Sequence, residues 1–62
     1  MFKRYRVEKT NDVIIDSFDS YDEAAAYLTT LGYRFKELRN RVLERWSKTL
    51  ENGRHDLWIC NN

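Results

Sequence analysis

Between Ser20 and Gly32 the chain spells out one helix with both ends marked, and that segment limits what the remaining residues can do. Ser20 is a good N-cap and Glu23 follows three residues later, so Ser20-Tyr21-Asp22-Glu23 reads as a capping box. Phe18 precedes the cap. Asp22 and Glu23 place negative charge at the positive end of the helix dipole. Ala24-Ala25-Ala26-Tyr27-Leu28 favours helix strongly. Tyr21, Ala24, Ala25, Leu28 and Leu31 repeat at helical spacing and make one apolar stripe. Gly32 then suits the left-handed position that closes a helix. A helix over 21–31 with a single apolar stripe needs a surface to cover it, and the rest of the chain has to supply that surface.

On the N-terminal side, residues 2–8 and 13–18 read as two strands. Phe2 to Glu8 mixes aromatic, branched and charged residues as a half-exposed strand does, and Val13-Ile14-Ile15 is β-branched at three successive positions. Lys9-Thr10-Asn11-Asp12 connects them with turn formers. The last thirty residues allow two readings. As a helix over 35–51, Phe35, Leu38, Val42, Leu43, Trp46 and Leu50 fall on one arc. As a hairpin, Asn52-Gly53 is a strong type I′ turn signal. Pairing outward from that turn sets Glu51 against Arg54, Leu50 against His55 and Trp46 against Ile59. It gathers Trp46, Leu50, Leu57 and Ile59 on one face and places Trp58 on the other. The turn signal accounts for both a charge pair and an apolar face, which favours the hairpin. The fold expected is α+β: a small antiparallel sheet with one helix packed on a face, in the order β-β-α-β-β, with β-β-α-α-β as the second reading. The stretch 36–41 is an exposed basic loop in the first and a helical turn in the second.

The chain has 62 residues, enough for a single domain over 1–62. A domain this small buries only about 60% of the surface its unfolded chain exposes, so its core must be filled efficiently. Nine large rings do this, and with no proline and only two glycines the composition is that of a folded domain. Cys60 is the single cysteine, which excludes an internal disulfide. Met1 to Arg6 has basic residues with no apolar run after them, and no stretch approaches a membrane span. The expectation is a cytoplasmic protein without membrane contact.

Catalytic groupings are sparse. His55 and Cys60 are the candidates for a nucleophile pair, and five residues along one strand they point to opposite faces. Asp12, Asp16, Asp19 and Asp22 lack the ligand spacing and central glycine of a calcium loop, and two Cys or His residues are too few for structural zinc. The two glycines are too far apart for a phosphate loop. The expectation is a protein that is not an enzyme, with no cofactor, no metal and no small-molecule substrate.

What remains is charge. Net charge is +1, but the sequence is dipolar. Glu8 to Glu23 carries six acids against Lys9 alone, a local net of −5, and Arg34 to Lys48 carries six bases against Glu37 and Glu44, a local net of +4. An acidic surface of Asp12, Asp16, Asp19, Asp22 and Glu23 is a candidate contact for a basic protein partner. A basic segment of Arg34, Lys36, Arg39, Arg41 and Arg45, with Tyr33 or Phe35 as stacking rings, is the alternative candidate, for nucleic acid.

The short hairpin, the Ser-x-Asp-Glu-Ala-Ala helix start, the aromatic after Gly32 and the closing Trp…Asn-Gly…Trp-Ile strand pair together resemble many small bacteriophage-encoded accessory proteins. That group includes host-takeover factors and anti-defence proteins such as anti-CRISPRs. The resemblance implies a stand-alone inhibitor or regulator that blocks a larger host protein or nucleoprotein complex.

Overall fold

The computed structural model describes residues 4–61. The element order is β1 (Tyr5–Lys9), β2 (Ile14–Phe18), α1 (Tyr21–Thr30), β3 (Arg34–Arg39), β4 (Leu43–Leu50) and β5 (Gly53–Asn61). The fold is α+β, with five strands where four were expected. All pair antiparallel in one sheet of order β2-β1-β5-β4-β3. The chain leaves the sheet at one edge, after β2, and re-enters at the other as β3, so α1 is the crossover that spans the sheet. Phe2 and Lys3, expected to begin the first strand, lie outside the described residues.

The helix is capped by the residues that mark its ends and, at Tyr21–Thr30, is one residue shorter than expected. Ser20 has an extended backbone and its Oγ accepts the Glu23 N–H at 3.2 Å. Leu31 is the C-cap, and Gly32 follows with φ 93°, the left-handed region that glycine enters at no steric cost. Ala24 and Leu28 are fully buried, against Val7 of β1, Trp46 of β4, and Leu57 and Ile59 of β5. Phe18 packs on Tyr27 with ring centroids 5.2 Å apart, tying the end of β2 to the helix it introduces.

The β4–β5 hairpin forms, and the alternative helix over 35–51 does not. Its register differs from the expected one by two residues. Leu50 pairs with Gly53, Lys48 with His55 and Trp46 with Leu57. Glu51 therefore sits in the turn instead of opposite Arg54, and Arg54 faces Thr49. Because side chains alternate with a period of two, a two-residue shift leaves every residue on its expected face. Gly53 takes φ 130°, while Asn52 is not among the positive-φ residues, so the turn is not the mirror-image type expected there. Left-handed backbone appears instead at Asn40 and Arg41, in the turn between β3 and β4.

The second correction is β3 itself. The stretch 36–41, expected as a basic loop, is mostly strand, paired to β4 with Arg34 opposite Ser47, Phe35 opposite Trp46, Glu37 opposite Arg45 and Leu38 opposite Glu44. The register shifts between Phe35 and Glu37, which makes Lys36 the extra residue of a β-bulge.

Candidate functional site

Cross-strand partners share a face, so the pairings sort the side chains into two surfaces. The helix side carries Tyr5, Val7, Phe18, Phe35, Leu38, Trp46, Leu57 and Ile59. The helix lies mainly over β1 and β2, reaches β4 and β5 through Trp46, Leu57 and Ile59, and leaves Phe35 and Leu38 of β3 exposed. There Phe35 is 48% exposed, Leu38 57% and Val42 45%. Val13 and Ile14 at the opposite edge are comparably exposed, at 50% and 51%. Phe35 stands edge-on to Trp46 with centroids 6.0 Å apart, and Trp46 beneath is only 7% exposed. The three side chains form an apolar ledge along the edge of the sheet.

The ledge borders a groove of about 170 Å³, with Leu38, Val42 and Arg41 on one side and Tyr5 and Tyr21 on the other. Glu44 stands in the groove with its charge already engaged. Its Oε1 accepts the Tyr21 hydroxyl at 2.8 Å and the Trp46 indole N–H at 3.1 Å. Partial burial and this bond push the Tyr21 pKa up to about 12. Lys36 and Arg41 are exposed beside the ledge, so its rim is basic.

The opposite face carries no helix. Five guanidinium groups reach it from four strands: Arg6, Arg34, Arg39, Arg45 and Arg54. Three carboxylates share it: Glu8, Glu37 and Asp56. Arg45 is the hub. Its Nε donates to Glu37 Oε1 at 2.8 Å and its Nη1 to Ser47 Oγ at 3.0 Å, with Asp56 Oδ1 at 3.8 Å. The bond from Arg45, with the nearby Arg39 charge, holds the Glu37 carboxyl below its ordinary range. Arg6 donates from Nη2 to the Cys60 sulfur at 3.1 Å, and its Nε lies 3.1 Å from Glu8 Oε2 without hydrogen-bond alignment. Trp58 stands mid-row, between Glu8 on β1 and Arg45 on β4. Its indole N–H donates to Thr10 Oγ1 at 3.2 Å, and the Arg39 guanidinium sits 5.2 Å above its ring centroid.

The candidate residues are distributed as follows. The acidic set gathers along one edge of the sheet. Asp12 lies in the β1–β2 turn, Asp16 on the edge strand, and Asp19, Asp22 and Glu23 at the β2–α1 junction. Asp12 and Asp19 are at opposite ends of β2, roughly 20 Å apart at strand rise. The Asp16 carboxylate accepts the Ser17 N–H at 2.8 Å. The basic set occupies the opposite edge, so the dipole along the sequence becomes a dipole across the sheet. The basic set is itself divided. Arg34, Arg39 and Arg45 face away from the helix, whereas Phe35 is on the helix side and Tyr33 lies under the Lys48 ammonium at 4.9 Å. The rings expected to stack are therefore on the wrong face, and Trp58 is the ring that shares a surface with the arginines. Its position was legible, because the parity of the Asn52-Gly53 hairpin puts Trp46 and Trp58 on opposite faces. The partnership with Arg39 was not, because it depends on β3.

His55 and Cys60 lie on opposite faces. His55 pairs with Lys48 near the turn, and Cys60 pairs with Arg6 and Leu43 on the open side. No group of three or more metal-ligating side chains converges among the described residues, and no helix there is long and apolar enough to cross a membrane. Comparison with protein-family models, with curated proteins and with solved structures yields no match.

Proposed function

We propose that this chain is a non-catalytic binding module that engages a larger protein through the ledge of Phe35, Leu38 and Val42, in keeping with the inhibitor or regulator role implied by its resemblance to phage accessory proteins. One observation carries this reading: Phe35 and Leu38 on one face of β3 and Val42 in the following turn, beside Leu38 at the same groove, are each close to half exposed. Contiguous exposed apolar surface costs solubility and is retained where a partner covers it. The basic rim of Lys36 and Arg41 narrows the partner to a surface that presents bulky apolar side chains flanked by carboxylates. Contact is by side chains rather than by strand addition. β3 is an edge strand, and its bulge at the exposed Lys36 is a device that disfavours backbone pairing with another strand.

The test is a nuclease-treated pull-down from bacterial lysate with the tagged chain, followed by titration of the purified partner. Leu38→Asp is expected to abolish retention while far-UV circular dichroism stays unchanged. A triple reversal of Asp16, Asp19 and Asp22 to lysine is the control on the opposite edge and is expected to leave retention intact. Loss of the partner in the triple variant but not in Leu38→Asp would transfer the contact to the acidic edge and end the ledge reading.

A further inference from the structure

The helix-free face carries a second arrangement, independent of the ledge because it lies on the other side of the sheet. We infer that this face is a binding site for single-stranded nucleic acid, with Arg34, Arg39 and Arg54 on the phosphates and Trp58 stacking on a base.

Charge comes first. Five guanidinium groups face three carboxylates, and the surplus is not spread evenly. Arg45 is enclosed by Glu37, Asp56 and Ser47, and Arg6 by Glu8 and Cys60. Those two are the guanidinium groups held most closely by neighbours on the face, with side chains 19% and 33% exposed. Arg34 makes no ion pair among the described residues. Arg39 and Arg54 each make one, to Glu37 and Asp56, with side chains 56% and 63% exposed. Surface pairs at that exposure are worth little, so both side chains can exchange a carboxylate for a phosphate. Three exposed cations thus stand beside two that are more buried.

The ring comes second. Trp58 is held by its bond to Thr10 and flanked by Leu43, and a shallow pocket of about 220 Å³ lies between Trp58, Leu43, Arg39, Thr10, Lys9 and Asp12, so that one carboxylate and two cations line it. Arg39 already covers the indole at 5.2 Å, occupying the position a stacked base would take. When a base arrives, Arg39 swings to the adjoining phosphate and the base replaces it on the ring. An acidic protein surface would satisfy the guanidinium groups but would leave the indole without a planar partner, and a duplex presents no unstacked base. Both observations favour a single strand, whose bases are free to stack on an aromatic ring.

With about three phosphates neutralised, the logarithmic salt slope for a single strand is about −2, which corresponds to an affinity loss of roughly 20-fold between 50 and 200 mM salt. The experiment is fluorescence anisotropy of a labelled oligothymidylate with the whole chain over that salt range, with tryptophan emission read in parallel. Expected are the salt loss, quenching of tryptophan emission on binding, and affinity at least about tenfold lower in Arg34→Glu/Arg54→Glu. Trp58→Ser is expected to remove the quenching, because buried Trp46 lies on the far face. Should Trp58→Ser fail to fold, the arginine pair stands at exposed positions and decides alone. Leu38→Asp is expected to bind the oligonucleotide normally, which separates failure of this site from failure of the ledge. Absence of binding at 50 mM salt, unchanged affinity in the arginine variant, or equal competition by polyglutamate would each overturn the assignment.

Discussion

Tyr21 stands at the first turn of α1, reaches across the groove to Glu44, and keeps its proton there. Burial and the bond to the carboxylate both favour the neutral phenol, so its folded-state pKa of about 12 lies above the ordinary tyrosine value of about 10. A raised pKa contributes stability that is complete below the unfolded value and is lost as pH climbs through the folded one. Denaturation midpoints are therefore expected to fall between about pH 10 and 12, and Tyr21→Phe is expected to flatten that decline; an equal decline in both proteins would assign it to other groups. Single residues were partly legible in advance. The opposed faces of Trp46 and Trp58 follow from strand parity alone. The double acceptance by Glu44 does not, because it joins residues from the helix and two positions of β4 that only the assembled sheet brings together.

At the scale of elements, α1 was the most legible because its signals are local. Ser20→Ala removes the acceptor for the Glu23 N–H and is expected to cost about 1 kcal/mol of folding stability by urea titration, with Ser20→Asp close to wild type. β3 was the least legible, and the reason is specific. In Arg34-Phe35-Lys36-Glu37-Leu38-Arg39 the apolar residues are three apart, a helical spacing that supports the rejected helix over 35–51. They share a sheet face only because the bulge at Lys36 inserts one residue between them. Deleting Lys36 restores strict alternation, with Arg34, Glu37 and Arg39 on one face and Phe35 and Leu38 on the other. That deletion is expected to fold with an unchanged far-UV spectrum and to lose no more than about 1.5 kcal/mol; a chain that no longer folds would show that the bulge is required by the sheet.

At the scale of the whole molecule, a single thin core holds both surfaces in place. Leu28 and Val7 are its largest fully buried side chains. Leu28→Ala removes the centre of the contact between α1 and the sheet and is expected to cost about 2–5 kcal/mol. Domains below about 70 residues have only about 3–5 kcal/mol from their cores. The variant is expected to be largely unfolded at room temperature, with both proposed surfaces lost together. Retention of a cooperative thermal transition within a few degrees of wild type would show the core to be larger than this. The charge dipole across the sheet also belongs to this scale. It exists because α1 carries the chain from the outer edge of β2 to the outer edge of β3, setting the acidic and basic segments four strand spacings apart, roughly 19 Å.

The sequence by itself determined the α+β class, the helix and its two caps, the β1–β2 and β4–β5 hairpins, and the two segments of opposite charge. Each of these rests on interactions within a few residues, which propensity, capping and strand parity describe directly. Tertiary structure alone decided that β3 is a strand, that the terminal hairpin turns at Glu51-Asn52, and that Trp58 stands with arginines from four strands while Phe35 does not. Those outcomes depend on which strands pair and in what register, where burial against a partner strand outweighs local preference.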